Sequence, residues 1–536
     1  MSTPVDQWRP GMDVTGGRLQ YMLERLNTSS TVNVETFGAV GDGITDDTLA
    51  IQAALDLAHS SGGGLVQFTP GKTYAVSTFL VVYDYTTVYA YGATIKAIGN
   101  SGILRNFLSS ETFNAYEGHS HIQILGGRWD GNAFNGTTGS VTAETDVMNF
   151  VHAQDITVRD ATIENTSTAH ALEFNAVDGG RALNCRFLGY NDNSSDASRQ
   201  FSEAIQIDIS VSGSSSIGSF DNTPAKNILV DGCYFGVSSR CGKFGRAVGS
   251  HTLASGQYYY GIQIVNNRIE GTLQEGVRGY GWRRSVIANN VISGTGYSGI
   301  WLGIPNPSTA GYTATSYDLT IQGNTITAPA TDSAIRVVGY SGASIAQVTV
   351  NGNSINGGST GNANGIQMEY CNSPVVSGNT LASVQSTGIY NVNSDSGTIT
   401  GNTIRGTASN GINVSNSSGT VVSSNHVRDA STNHCIFIGA SNDFLVTANR
   451  VVNAASTGAG IRLGGTATDG TVNGNRVVKG TSQNGISVDS TATGCIVANN
   501  DLSGNGWSTA TALAFSATVT TSFGGGSTSP GFNRVS

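Results

Sequence analysis

The sequence predicts an all-β fold, a coiled solenoid of short parallel strands stacked along one axis, and three observations carry that expectation. The first is a recurring Asn in G-N-T-I, G-N-S-I, G-N-T-L, G-N-T-I, S-N-H-V, A-N-R-V, G-N-R-V and N-N-D-L. These are Asn324, Asn353, Asn379, Asn402, Asn425, Asn449, Asn475 and Asn500, at intervals of 29, 26, 23, 23, 24, 26 and 25 residues. The second is a unit between them in which a small residue precedes Ile, one further residue and an apolar one. Examples are Gly365-Ile366-Gln367-Met368, Gly411-Ile412-Asn413-Val414, Gly460-Ile461-Arg462-Leu463 and Gly485-Ile486-Ser487-Val488. The third is composition: 71 Gly, 9 Pro and only 12% charged residues suit a turn-rich β protein. A unit of this length cannot bury its own apolar face, so it must stack on its neighbours. Stacking at about 4.8 Å pairs each strand with the coils above and below. Ile, Val and Leu then point inward and the alternate residues outward. Asn at one turn of successive coils can form a hydrogen-bonded ladder and tolerates left-handed backbone angles. A disordered Ser/Thr/Gly/Asn linker has no reason to keep Ile in register.

Length alone, 536 residues, would suggest three or four domains. The repeat overrides that and predicts a leader over residues 1–30 and one solenoid over 31–536. The formal net charge of −9 counts against nucleic acid and anionic membranes as partners. No apolar run approaches the length of a membrane span. The opening MSTPVDQWRPGMD has no apolar core, so no signal peptide is expected there. Cys185, Cys233, Cys241, Cys371, Cys435 and Cys495 include no C-x-x-C pair, which argues against a zinc site. Cys185 and Cys233 stand where Asn stands in later coils, in N-C-R-F and G-C-Y-F.

Along the chain, Leu19, Met22, Leu23 and Leu26 form a helical stripe in a short helix over about Gly17 to Leu26. Val32 to Ala58 then reads as a strand, a Gly-Asp-Gly turn and a helix capped by Thr45 or Asp46. Its apolar face is Ile51, Ala54, Leu55 and Ala58. An open solenoid end exposes apolar side chains and strand edges, and such a helix would lid it.

F-G-A-V-G-D-G-I-T-D-D-T-L-A-I-Q-A-A, followed by G-G-G-L-V-Q-F-T-P-G-K-T-Y, resembles the opening of the pectate-lyase-like, right-handed parallel β-helix superfamily. Phage tailspike depolymerases, polygalacturonase-like hydrolases and mannuronan epimerases share it. The resemblance implies a right-handed helix, an N-terminal capping helix and action on an extracellular polysaccharide. The leader is similar to what precedes the catalytic domain of many tailspikes, which implies a virion-associated or extracellular protein and, by analogy, a homotrimer. It does not choose among hydrolase, lyase and epimerase.

Candidate chemistry comes from aligning coils upstream of the regular repeats: H-A-L-E-F-N (170–175), E-A-I-Q-I-D (203–208), R-A-V-G-S-H (246–251), E-G-V-R-G-Y (275–280), S-G-I-W-L-G (298–303) and S-A-I-R-V-V (333–338). With Leu172, Ile205, Val248, Val277, Ile300 and Ile335 inward, one outward column is Glu173, Gln206, Gly249, Arg278, Trp301 and Arg336. A second is Asn175, Asp208, His251, Tyr280, Gly303 and Val338. The position before the strand reads His170, Glu203, Arg246, Glu275, Ser298 and Ser333. The late coils carry Asn413, Ser415, Ser487 and Asp489 in the same columns, read as ordinary solvated positions. Insertions at about 189–201, 210–224, 239–260 and 305–317 flank the middle coils, and long loops on a regular scaffold wall binding grooves.

Two mechanisms fit. Glycoside hydrolysis needs two carboxyl groups, one protonated and one ionised. Asp208 and Glu173 are the first pair, with Glu203 and Glu275 as further candidates. β-Elimination or C5 epimerisation of a uronic acid needs a base, an acid and a cation. His251, Tyr280 and Arg278 supply these. Hydrolysis stands slightly ahead here because several carboxylates converge. Arg246, Arg336, Gln206, Trp282, Trp301 and Tyr390 are candidate sugar contacts. No cofactor is expected, and nothing is spaced like a calcium loop. A non-catalytic, glycan-gripping adhesin or tail fibre is the reading from another class.

Overall fold

The computed structural model describes residues 31–515 and Asn533, apart from 213–218, 311–315, 328, 358–362, 453, 456, 504, 505 and 508. The short helix expected over Gly17 to Leu26 lies outside the described residues. Among the described residues the chain coils through three long parallel sheets, one of eighteen strands and two of sixteen. One coil shows the plan: Ile122–Leu125 joins the first sheet, Arg128–Asp130 the second and Met148–Val151 the third. Every strand pairs with its equivalent one coil away.

The interior is built from stacked columns of like residues. In the third sheet Leu172 pairs with Ile205, Ile205 with Val248, Val248 with Val277, Val277 with Ile300 and Ile300 with Ile335. All six are wholly buried. This is the inward column that alternation predicts.

The Asn ladder is continuous. Asn402 Nδ2 donates to Asn425 Oδ1 (2.9 Å) and to Val376 O (2.9 Å), while Asn402 Oδ1 accepts from Asn379 N (2.9 Å) and Asn379 Nδ2 (3.0 Å). It starts earlier than the regular repeat, at Asn267 and Asn290, and runs to Asn533. Cys185 and Cys233 extend it: Cys185 N donates to Cys233 Sγ (3.4 Å) and Cys233 N to Asn267 Oδ1 (2.8 Å). All six cysteines are free and buried. From Asn267 to Asn500 the left-handed residue is the one before each ladder Asn, not the Asn itself. Gly323, Gly352, Gly378 and Gly401 have φ of 63° to 65°. Glycine takes that conformation at no steric cost, which explains the G-N pair. At another corner Cys371 N, Ser394 N and Ser417 N donate to Ser394 Oγ, Ser417 Oγ and Ser441 Oγ, a second ladder that periodicity alone did not announce.

Helix α1, Thr48–Ser60, buries Ile51, Ala54, Leu55 and Ala58 against the first strands of the first and third sheets. Its N-cap is Asp47, one residue later than expected. Asp47 accepts from Val40 N (2.6 Å) and Gly41 N (3.1 Å), so its carboxylate ties down the Gly-Asp-Gly turn, and Asp46 instead accepts from Thr48 N (3.0 Å).

Candidate functional site

The outward column of the third sheet holds its register through Asn149, Glu173, Gln206, Gly249, Arg278, Trp301, Arg336, Gln367 and Tyr390. In the second column Asn175 pairs with Asp208 and Tyr280 with Gly303. His251 departs from the alignment. The ladder between its coil and the previous one ends at Gln206 and Gly249, and its Nδ1 instead lies 3.2 Å from Glu203 Oε1.

From His251 a chain of charge runs across the coils. Glu203 Oε1 also accepts from Arg246 Nη1 (2.9 Å), Arg246 Nε donates to Glu275 Oε2 (2.7 Å), and Arg278 Nη1 donates to Glu275 Oε1 (2.9 Å). The Arg278 guanidinium lies 4.4 Å over the Trp301 ring and 5.7 Å from that of Tyr280. Ser250 stitches the His251 turn to that strand, since Ser250 N donates to Arg278 O (3.0 Å) and Tyr280 N to Ser250 Oγ (3.1 Å). Gly249 makes room for this: a Cβ there would stand 3.2 Å from Glu203 Oε1 and 3.0 Å from Arg278 O.

Burial divides the cluster. Side-chain exposure is 25% for His251 and 22% for Arg278, but 0% for Glu203. Tyr280 and Trp301 are half-buried. Asp208 and Glu173, expected to present carboxyls to a substrate, are 0% and 4% exposed. Asp208 Oδ1 accepts from Ile209 N (2.8 Å) and lies 3.2 Å from the Tyr259 hydroxyl, while Gln206 Nε2 donates to Oδ2. Glu173 accepts from Asn149 Nδ2 (2.8 Å) and Asn175 Nδ2 (3.0 Å). Asp208 is covered by Tyr259 from the 239–260 insertion and Glu173 by its amide partners, so outward from the sheet is not the same as open to solvent.

Burial pushes Asp208 up to about 6. Burial, then the neighbouring Asp146 carboxyl, holds Glu173 well above the carboxylate range. Glu203 goes the other way: burial penalises its charge, but His251 and Arg246 outweigh it and keep Glu203 ionised. Burial likewise works against a charged His251, and Glu203 then Asp208 outweigh it, so His251 titrates above the ordinary histidine value.

Other expected residues take other roles. Trp282 is buried and donates Nε1 to Ser250 Oγ (2.8 Å), so it supports the His251 turn and has no face for a sugar. Gln206 is buried against Asp208. Arg246 and Glu275 are interior links of the ion chain. Arg336 pairs with Asp332 (3.3 Å) and Glu369 (3.5 Å). Tyr390 stands three rungs beyond Trp301, about 14 Å at the inter-strand spacing. Asp146 was missed. It accepts from Asn149 Nδ2 (2.6 Å) and His170 N (3.0 Å), and D-V-M-N-F-V (146–151) is the same alignment taken one coil further back.

Residues 31–243 match the family described as Rhamnogalacturonase A/epimerase, pectate lyase-like, and residues 364–523 match the Right handed beta helix region family. The plasmin and fibronectin-binding protein A of Streptococcus pneumoniae is 26% identical over 298 residues, 52% of this chain and 41% of that protein. Mannuronan C5-epimerase AlgE6 of Azotobacter vinelandii is 42% identical over 99 residues, 15% of this chain and 11% of that enzyme. The chain thus spans less than half the length of these relatives. Among solved structures, a mutant tailspike protein of E. coli bacteriophage HK620 in complex with a pentasaccharide superposes with a TM-score of 0.53 at 14% identity, covering 93% of this chain and 81% of that one. That likeness is one of fold.

Proposed function

This chain has the pectate-lyase-like right-handed parallel β-helix fold, and from that premise we propose that it processes an acidic extracellular polysaccharide laid along the outer face of the third sheet. The reaction favoured is proton abstraction beside a uronate carboxylate, leading to β-elimination or C5 epimerisation. One observation carries this: the cluster members that reach the surface are His251, Arg278, Tyr280 and Trp301, while the carboxyls of Glu173 and Asp208 stay beneath it. His251 Nδ1 is held by Glu203 and Nε2 is left to act as base. Arg278 would pair with the substrate carboxylate and stabilise the charge that develops on it. In elimination the C5–H bond breaks with its proton passing to His251 Nε2, the C4–C5 double bond forms, and the C4–O bond breaks with Tyr280 protonating the leaving oxygen. In epimerisation Tyr280 returns a proton to the opposite face of C5. Trp301 offers a ring for the sugar's apolar face. The relative named as a mannuronan C5-epimerase supports a uronate polymer. An extracellular or virion-associated setting fits this reading.

Alginate and pectate are the substrates to offer, with three readouts: ultraviolet absorbance of unsaturated uronate ends, new reducing ends, and C5 configuration by proton NMR. Elimination or inversion that is lost in His251→Ala is the expected result. Reducing ends without absorbance would move the assignment to hydrolysis by the buried carboxyls. Retention of polymer with no product would move it to a binding protein, the reading favoured by the long match to a plasmin and fibronectin-binding protein.

A further inference from the structure

Seven rungs from Arg278 the same outward column reaches Arg462, about 34 Å along the axis at the inter-strand spacing. The coils here were expected to carry only solvated positions. Instead Arg462 Nη2 and Nε bond Asp489 at 2.9 to 3.3 Å beside a cavity of about 790 Å3. Gln483, Asn484 and Ser487 give it polar groups, and Val488, Leu513 and Phe515 give it an apolar side.

His434 forms part of the wall and is 8% exposed. Its Nδ1 accepts from Ala459 N (2.9 Å). A neutral imidazole has one lone-pair nitrogen, so that bond fixes the proton on Nε2. Burial and the nearby Arg462 hold the ring neutral, with its pKa lowered to about 4. Nε2 lies 3.4 Å from Arg462 Nη1, and that atom is also a donor. Two N–H groups therefore converge at the cavity wall: that of His434 is buried, where an unmet donor is costly, and that of Arg462, whose side chain is 38% exposed, opens to the cavity. Phe437 stacks on the imidazole, 5.7 Å between centroids at 22°, and keeps it in position.

We propose that this cavity binds a neutral saccharide, one hydroxyl of which accepts from His434 Nε2 and Arg462 Nη1 while donating its own proton to Asp489. A hydroxyl fits because it accepts and donates at once. A carboxylate or sulfate fits less well, because the Arg462 charge is already matched by Asp489 and a second anion would face it. Vicinal hydroxyls can reach the amides of Gln483 and Asn484, and the sugar's C–H face the Leu513 and Phe515 side. The site is separate from the His251 groove and does not depend on what that groove does.

The test titrates the full chain with disaccharides of glucose, galactose, mannose and rhamnose, with glucuronic acid as the anionic comparator, by calorimetry and saturation-transfer NMR. At least one neutral member is expected to bind saturably, to shift the His434 Nε2-bound proton, and to weaken about tenfold in Asp489→Asn through loss of a charged acceptor. His434→Ala should abolish binding, and should it fail to fold, Asp489→Asn decides alone. His251→Ala should bind as well as the unaltered chain, which separates this site from the groove. No binding by any neutral member, affinity unchanged in Asp489→Asn, or tighter binding of glucuronic acid would each overturn the proposal.

Discussion

Glu203 and His251 lie in a place that penalises charge on both, and each favours the charged form of the other. Glu203 has its folded pKa depressed, so its contribution to stability is present above the unfolded value of 4.5 and lost as pH falls through the folded value. His251 has its folded pKa raised, so its contribution is present below 6.5 and lost as pH rises through the folded value. The pair therefore stabilises the fold fully between those two values. A base must be unprotonated, so turnover should rise with pH across the elevated His251 titration. Glu203→Gln is expected to move that limb to lower pH, read from kcat/KM against pH, and to cost less than the roughly 3 to 5 kcal/mol of a fully broken buried pair, because Glu275 still holds Arg246. An unmoved limb would remove His251 from the base role. Asp208 behaves oppositely to Glu203. Its pKa of about 6 against an unfolded 3.8 means that ionising it in the fold costs up to about 3 kcal/mol. That penalty is absent below 3.8 and grows as pH rises to 6. Asp208→Asn should therefore raise the denaturant midpoint at pH 8 and leave it nearly unchanged at pH 4; equal effects at both would show that its charge is not what burial penalises.

At the scale of the element, the ladder couples one coil to the next through buried amides. Asn402→Ala strips the acceptor from Asn379 N and Asn379 Nδ2 and the donor from Val376 O, at about 1 to 3 kcal/mol for each group left unmet. Asn402→Cys should cost less, because Cys233 Sγ already accepts a backbone N–H at this position. Urea midpoints of the two variants check the order, and equal losses would contradict it. Such elements were legible in the sequence for a plain reason. The ladder Asn, the left-handed Gly before it and the inward Ile each answer to one local constraint repeated coil after coil, and repetition is what a sequence displays. The columns through Glu173 and Arg278 were legible for the same reason. What the columns could not tell is what covers them. Asp208 and Trp282 vanish under insertions that obey no period, and His251 left its column because the strand stops at Gly249. Asp146 was within reach, since one more coil of alignment would have found it.

For the whole molecule, a uniform scaffold carries non-uniform chemistry along a single face. Ion pairs, rings and a partly exposed imidazole gather where the insertions lie, and a cavity walled by His434 and the Arg462–Asp489 pair sits far down the same column. A rigid stack with one rung about every 4.8 Å is a natural ruler for an extended polymer. On the proposed reading, an acidic polymer held at His251 and Arg278 would run on past Arg336 and Tyr390, which stand on the same column. The most direct measurement is to incubate the full chain and its His251→Ala variant with alginate and pectate, following unsaturated-uronate absorbance together with C5 configuration. Unsaturated ends or inverted uronates from the unaltered chain, and neither from the variant, is the predicted result. Products that persist undiminished in His251→Ala, or cleavage that yields saturated ends alone, would contradict it.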